Sequence, residues 1–129
     1  MAKKLNKKVL YTLLAIGLVC FLGVLTVGFK YIRERNPEYC LNKARQLFKE
    51  GNFEEAGGMF GKAFGRSKED SEKIAILFEM AEFHLTPGEK HEPDWPKAMG
   101  CWNTVINIDP QHVEARRKLL DFYYQSAVS

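Results

Sequence analysis

"EGNFEEAGGMFGKAF", residues 50–64, places Gly51, Phe53, Ala56, Phe60 and Ala63 in one short run. Phe53, Ala56, Phe60 and Ala63 fall three or four residues apart, on one face of a helix, with Phe64 beside them. Small residues on such a face let a second helix approach closely. The aromatic residues between them fill the space beyond the contact. Gly57, Gly58 and Gly61 each weaken the helix by up to about 1 kcal/mol relative to Ala. Packing against neighbours must supply what propensity lacks. Gly51-Asn52, just upstream, reads as a helix end and turn.

The same grammar extends in both directions. Asn36-Pro37 is a helix start, an N-cap residue followed by Pro at the first helical position. The helix predicted over 38–50 carries Leu41, Ala44, Leu47 and Phe48 on one side. A third is expected over 71–85, with Ile74, Leu77, Phe78, Ala81 and Leu85 as its stripe. "TPGEKHEPD", residues 86–94, reads as a loop. Trp95, Ala98, Met99, Trp102, Val105 and Ile106 then mark a helix over 95–108, stopped by Asp109-Pro110. A last one begins at Val113 and runs to about residue 126, carrying Ala115, Leu119, Leu120, Phe122 and Tyr123. No sustained period-two alternation supports a strand, so the expected class is all-α.

This pattern resembles the tetratricopeptide repeat, in which about 34 residues fold as two antiparallel helices. With a first repeat over 37–70, Ala44, Leu47, Gly51, Phe53, Ala56, Phe60 and Ala63 match the family's small, large, turn and aromatic positions. Lys68 stands where the family has Pro. A second repeat over 74–110 matches at Leu77, Ala81, Trp95, Ala98, Trp102 and Pro110, with a loop about five residues longer than usual. Residues 113–129 supply one further first helix. That helix is either a cap or the start of an array completed by more chain or by a partner. The resemblance implies an α-solenoid of about two and a half repeats, each burying its face on the next. Phe53, Phe60, Trp95 and Trp102 would fill the spaces between successive helix pairs.

The family binds peptides or helices in the concave groove lined by its first helices. Carried over by position, that groove would be lined by Asn42, Arg45, Phe48 and Lys49 from the first repeat. Phe78, Glu82 and Leu85 would come from the second, and Arg117, Asp121 and Tyr124 from the third. Leu41 and Arg45 occupy positions where the family's clamp for C-terminal carboxylates has Lys and Asn, which argues against that specific ligand.

Outside this region lies "VLYTLLAIGLVCFLGVLTVGF", residues 9–29, with no charge. As a helix it is about 30 Å long, enough to cross a bilayer core. A basic tail, 1–8, precedes it, and a juxtamembrane linker, 30–36, with Lys30, Arg33 and Arg35 follows. The run is longer than a secretory signal core and has no small-residue cleavage site after it, so it reads as an uncleaved single-pass anchor. The short basic tail favours an N-terminus in the cytoplasm and the repeats outside it, in the manner of a bacterial inner-membrane protein.

Four of the 19 basic residues precede the anchor, so residues 30–129 hold 15 against 16 acidic ones. A near-neutral domain carries no electrostatic footprint for nucleic acid. Cys20 lies in the anchor, and Cys40 and Cys101 lie in separate predicted helices, read as small buried hydrophobes, the alternative being a disulfide between them in an oxidising compartment. His84, Glu89, His91, Glu92 and Asp94 crowd the stretch "HLTPGEKHEPDWP", residues 84–96, without a metal-ligand spacing, and it reads as solvated. Three scattered histidines and no phosphate loop give no catalytic constellation or cofactor motif. The expectation is a non-enzymatic scaffold that recruits a protein or peptide to a membrane surface. The alternative is self-association through the C-terminal aromatic end.

Overall fold

The computed structural model describes Lys4 and residues 6–129. Residues 1–3 and 5 of the basic tail lie outside the described residues. Among the described residues six α-helices follow one another: α1 (Lys7–Glu34), α2 (Pro37–Lys49), α3 (Phe53–Arg66), α4 (Asp70–Leu85), α5 (Trp95–Ile108) and α6 (Val113–Val128). No strand occurs among the described residues, where Gly88 and His91 form an isolated antiparallel bridge. The chain divides into two compact units, Met1–Glu34 and Arg35–Ser129.

The first unit is α1. Its 28 residues span about 42 Å. Residues 30–34, read as linker, continue the helix. It is long and apolar enough to cross a membrane, and none of its residues is buried by protein. Its two threonines turn their hydroxyls inward. Thr12 Oγ1 donates to the Lys8 carbonyl at 2.8 Å, and Thr26 Oγ1 to the Gly23 carbonyl at 2.8 Å. Hydrocarbon offers a hydroxyl no partner, so this local satisfaction suits a helix surrounded by lipid.

The second unit begins with Asn36, whose side chain accepts the Glu38 N–H at 2.9 Å, and with Pro37 in the first turn. α2 ends in a Schellman motif: Gly51 N–H donates to the Phe48 carbonyl at 3.1 Å, and Asn52 N–H to that of Leu47 at 2.9 Å. Gly51 has φ of 79°, a left-handed conformation that side chains resist. α3 follows at once, capped by Asn52. α2 and α3 thus form a tight hairpin around Ala44, Ala56 and Phe60, all at most 1% exposed.

α4 and α5 form a second hairpin, closed by residues 86–94. Asp94 caps α5 by accepting the Lys97 N–H at 3.0 Å. Leu77, Ala81, Ala98, Trp102 and Val105 fill its core, which continues onto α6 through Ala115 and Leu119. α6 is capped by the ring of His112, whose Nδ1 accepts the Ala115 N–H at 3.2 Å.

α4 joins the hairpins because it is buried on two sides. Leu77 and Ala81 face the α5–α6 core. Ile76 packs with Cys40 and Ala63, and Phe83 with Ala44, Leu47, Ala56 and Phe60. The single stripe expected for this helix, Ile74 to Leu85, omits Ile76 and Phe83. A helix buried on both sides has no one polar face to reveal the second contact.

Trp95 fills the space between the second hairpin and α6 only in part. It is 41% exposed, with its ring centroid 5.2 Å from that of Phe122. As the first residue of α5, it stands at the end of the hairpin and reaches outward to α6. Leu120 and Tyr123 of the expected α6 stripe are also exposed, and the core takes Ala115 and Leu119. Cys40 and Cys101 are buried in separate clusters, and no disulfide joins them. Burial pushes the Cys101 thiol up to about 11, so it stays protonated and packs as an apolar group.

Candidate functional site

In the second unit, α2, α4 and α6 border two recesses. One, of about 330 Å³, lies between α2 and α4 and is floored by Leu41, Ala75 and Ile76. The other, of about 560 Å³, lies between α4 and α6 over Phe78, Leu85 and Trp102. Glu79 belongs to both.

Glu79 also anchors the strut between them. Arg45 donates from Nε to Oε2 at 2.8 Å and from Nη2 to Oε1 at 2.5 Å, a two-pronged pair that fixes both planes. Arg45 Nη1 further donates to Asn42 Oδ1 at 3.3 Å. The Glu79 hydrogen bonds hold the Arg45 guanidinium still more firmly protonated than usual. Both side chains keep substantial exposure, so the pair adds up to about 1 kcal/mol and mainly sets geometry.

The position-derived residues separate into three groups. Arg45 lines the first recess, and Phe78, Glu82 and Leu85 line the second. Phe78 is half-buried, its ring centroid 5.3 Å from that of His112. Asn42, Lys49, Arg117, Asp121 and Tyr124 are exposed and border neither recess. Phe48 is engaged inside the first hairpin, edge-on to Phe53 and Phe83 at 5.7 and 5.5 Å.

Sequence reasoning missed Glu72, Ile76 and Glu79 on α4, and Glu114 and Lys118 on α6. Their signal was present as spacing: 72, 76 and 79 descend one side of a helix, as do 114 and 118. The charged ones lie off the apolar stripes, and Ile76 lies on the second buried side of α4. The charge of this face is also clear only in three dimensions. Glu38, Glu72, Glu79, Glu82 and Glu114 line the recesses, against Arg45 and Lys118.

The 86–94 loop is tied down on another side of the unit. Gly88 N–H donates to the His91 carbonyl at 2.7 Å, and His91 N–H returns to that of Gly88 at 3.3 Å. The His91 ring lies nearly parallel to Phe53, centroids 4.4 Å apart and planes 9° off. His91 Nδ1 is 2.8 Å from the Thr86 carbonyl, so that nitrogen carries the proton. His84 is held below the usual imidazole range by burial, and next by the charge of Lys97. No group of three or more His, Cys, Asp or Glu converges as metal ligands among the described residues. Comparisons with protein-family models, curated proteins and solved structures return no match for this chain.

Proposed function

We propose that this chain is a single-pass membrane-anchored scaffold of the tetratricopeptide type, whose first-helix face receives a segment of a partner protein. The observation that carries the reading is the pair of recesses running across α2, α4 and α6. Two helical hairpins and a further helix stand behind that face, and α1 has the length and composition of a span. The tetratricopeptide reading draws on the small and aromatic residues at Ala44, Ala56, Phe60, Ala81, Ala98 and Trp102, which are all buried. Anchoring confines the face to a membrane surface and raises the effective concentration of whatever it recruits.

Site-specific photocrosslinking in native membranes tests this. A photoreactive residue at position 82 or 118 is expected to yield a discrete protein adduct, and one at the exposed Asn103 of α5 is not. Equal labelling from both faces would sink the proposal. The proposed orientation places the N-terminus in the cytoplasm of a bacterial inner membrane and the second unit outside. A Ser129→Cys variant would then react with an impermeant maleimide in intact spheroplasts, and protection until lysis would reverse the topology.

A second reading is favoured by α6, where Leu120 is 68% and Tyr124 73% exposed. Such apolar surface suits self-association. Analytical ultracentrifugation in detergent over a range of concentrations separates the readings, since a monomer throughout would eliminate this one.

A further inference from the structure

We infer that the first-helix face selects a basic, amphipathic segment, with apolar side chains entering the two recesses and lysine or arginine groups meeting the glutamates around them. This rests on the reading of that face as the docking site and names the chemistry of its partner. Six basic residues and one acidic residue precede Arg35, so the chain's 19 and 16 leave 13 basic against 15 acidic in the second unit, a net of −2. The linings of the two recesses hold five carboxylates against two basic groups, a net of −3. The remainder of the unit is therefore +1, and its acidic excess is concentrated on this one face.

The arrangement is more than an acidic patch. Each recess has an apolar floor, Leu41 and Ile76 in one, Phe78 and Trp102 in the other. Glu79 is spent on Arg45. Glu72, Glu82 and Glu114 are exposed at the rims and form no ion pair within the described residues. Glu72 and Glu82 are ten residues apart on α4, about 15 Å along the helix. A binding segment with basic groups about that far apart and apolar ones between them satisfies floor and rim together. The same field repels acidic segments and polyphosphates.

The test uses the full chain in nanodiscs of zwitterionic lipid, where basic peptides do not adsorb to the bilayer. Three synthetic helical peptides share one apolar face and carry Lys, Gln or Glu on the other. Methyl NMR follows Leu41, Ile76 and Leu85. The Lys peptide is expected to shift these signals at the lowest concentration, weakening as salt rises from about 50 to 300 mM. Combining Glu72→Gln, Glu82→Gln and Glu114→Gln should weaken it about tenfold. Lys118→Glu should tighten it severalfold, a gain that a misfolded variant would not give. If the Gln or Glu peptide shifts the recess signals equally well, the basic selectivity is wrong and the docking face stands. If none of the three perturbs them, the docking reading falls as well.

Discussion

The two hairpins solve the same problem with different closures. α2 and α3 are joined by residues 50–52, and the sharp reversal is made by backbone alone, through Gly51 and the Schellman hydrogen bonds. α4 and α5 are joined by nine residues, 86–94, too many for a tight turn. That longer loop is not slack. Its bridge at Gly88 and His91 presses it against Phe53 of the first hairpin. The short turn serves its own hairpin, and the long one helps hold two hairpins together. Length added to a hairpin connection is thus tolerable when its side chains find a surface to cover.

The strongest way to break this comparison is at Phe83. Its ring lies on the second hairpin but packs within 5.4 to 5.8 Å of Phe60, Phe48 and Phe53, centroid to centroid. Phe83→Ala is expected to cost about 3–5 kcal/mol in urea denaturation of the micelle-bound chain. Trp102→Ala should cost a similar amount, but by opening the α4–α5–α6 core. Native-state hydrogen exchange separates them: Phe83→Ala should expose α2 and α3 first, Trp102→Ala α5 and α6. Identical exchange patterns would mean the two cores are one.

Two glycines sharpen the contrast, because they are required for different reasons. A Cβ at Gly88 would stand 2.3 Å from the Phe53 ring, itself confined by Phe48, Phe83 and His91. Gly88→Ala should cost about 1–3 kcal/mol and unstack His91, visible as a changed ring-current shift. At Gly51 no atom is close, and only the positive φ resists a side chain. Gly51→Ala should cost about 1 kcal/mol, with the His91 resonances unmoved. A Gly51 variant that disturbed His91 would show that the turn and loop are coupled.

Much of the second unit was legible from residue spacing. The α5 boundaries are those predicted, and the Asn36 cap, the Gly51 turn and the small residues at 44, 56, 81 and 98 were read directly. The failures have separate physical causes. Phe83 and Ile76 were overlooked because α4 is apolar on more than one side, so one stripe does not describe its contacts. Trp95 starts a helix and stays half exposed against Phe122, and Phe48, expected in the groove, turns in toward Phe83. Four of the ten groove residues chosen by position line a recess. The glutamates that define its charge come from three helices, and no sequence window contains them together.

The smallest expected effect again divides the two closures, this time by titration. The 50–52 turn contains no histidine, whereas His84 sits beside the 86–94 loop, its carbonyl accepting the Asp94 N–H at 2.7 Å. Burial depresses the His84 pKa below its ordinary 6.5, and Lys97 and His91 push the same way against Asp94. The folded state therefore binds the His84 proton less readily than the unfolded chain does. Above 6.5 both states are neutral and this stabilisation is fully present. As pH falls through 6.5 toward the lower folded value, the unfolded state takes up the proton first and stability declines. Thermal unfolding of the wild type should drop between pH 7.5 and 5.5, and His84→Gln should flatten part of that slope. An unchanged slope in the variant would assign the pH dependence to other groups. If only the second hairpin loses amide protection on acidification, the longer closure is also the one whose strength depends on pH.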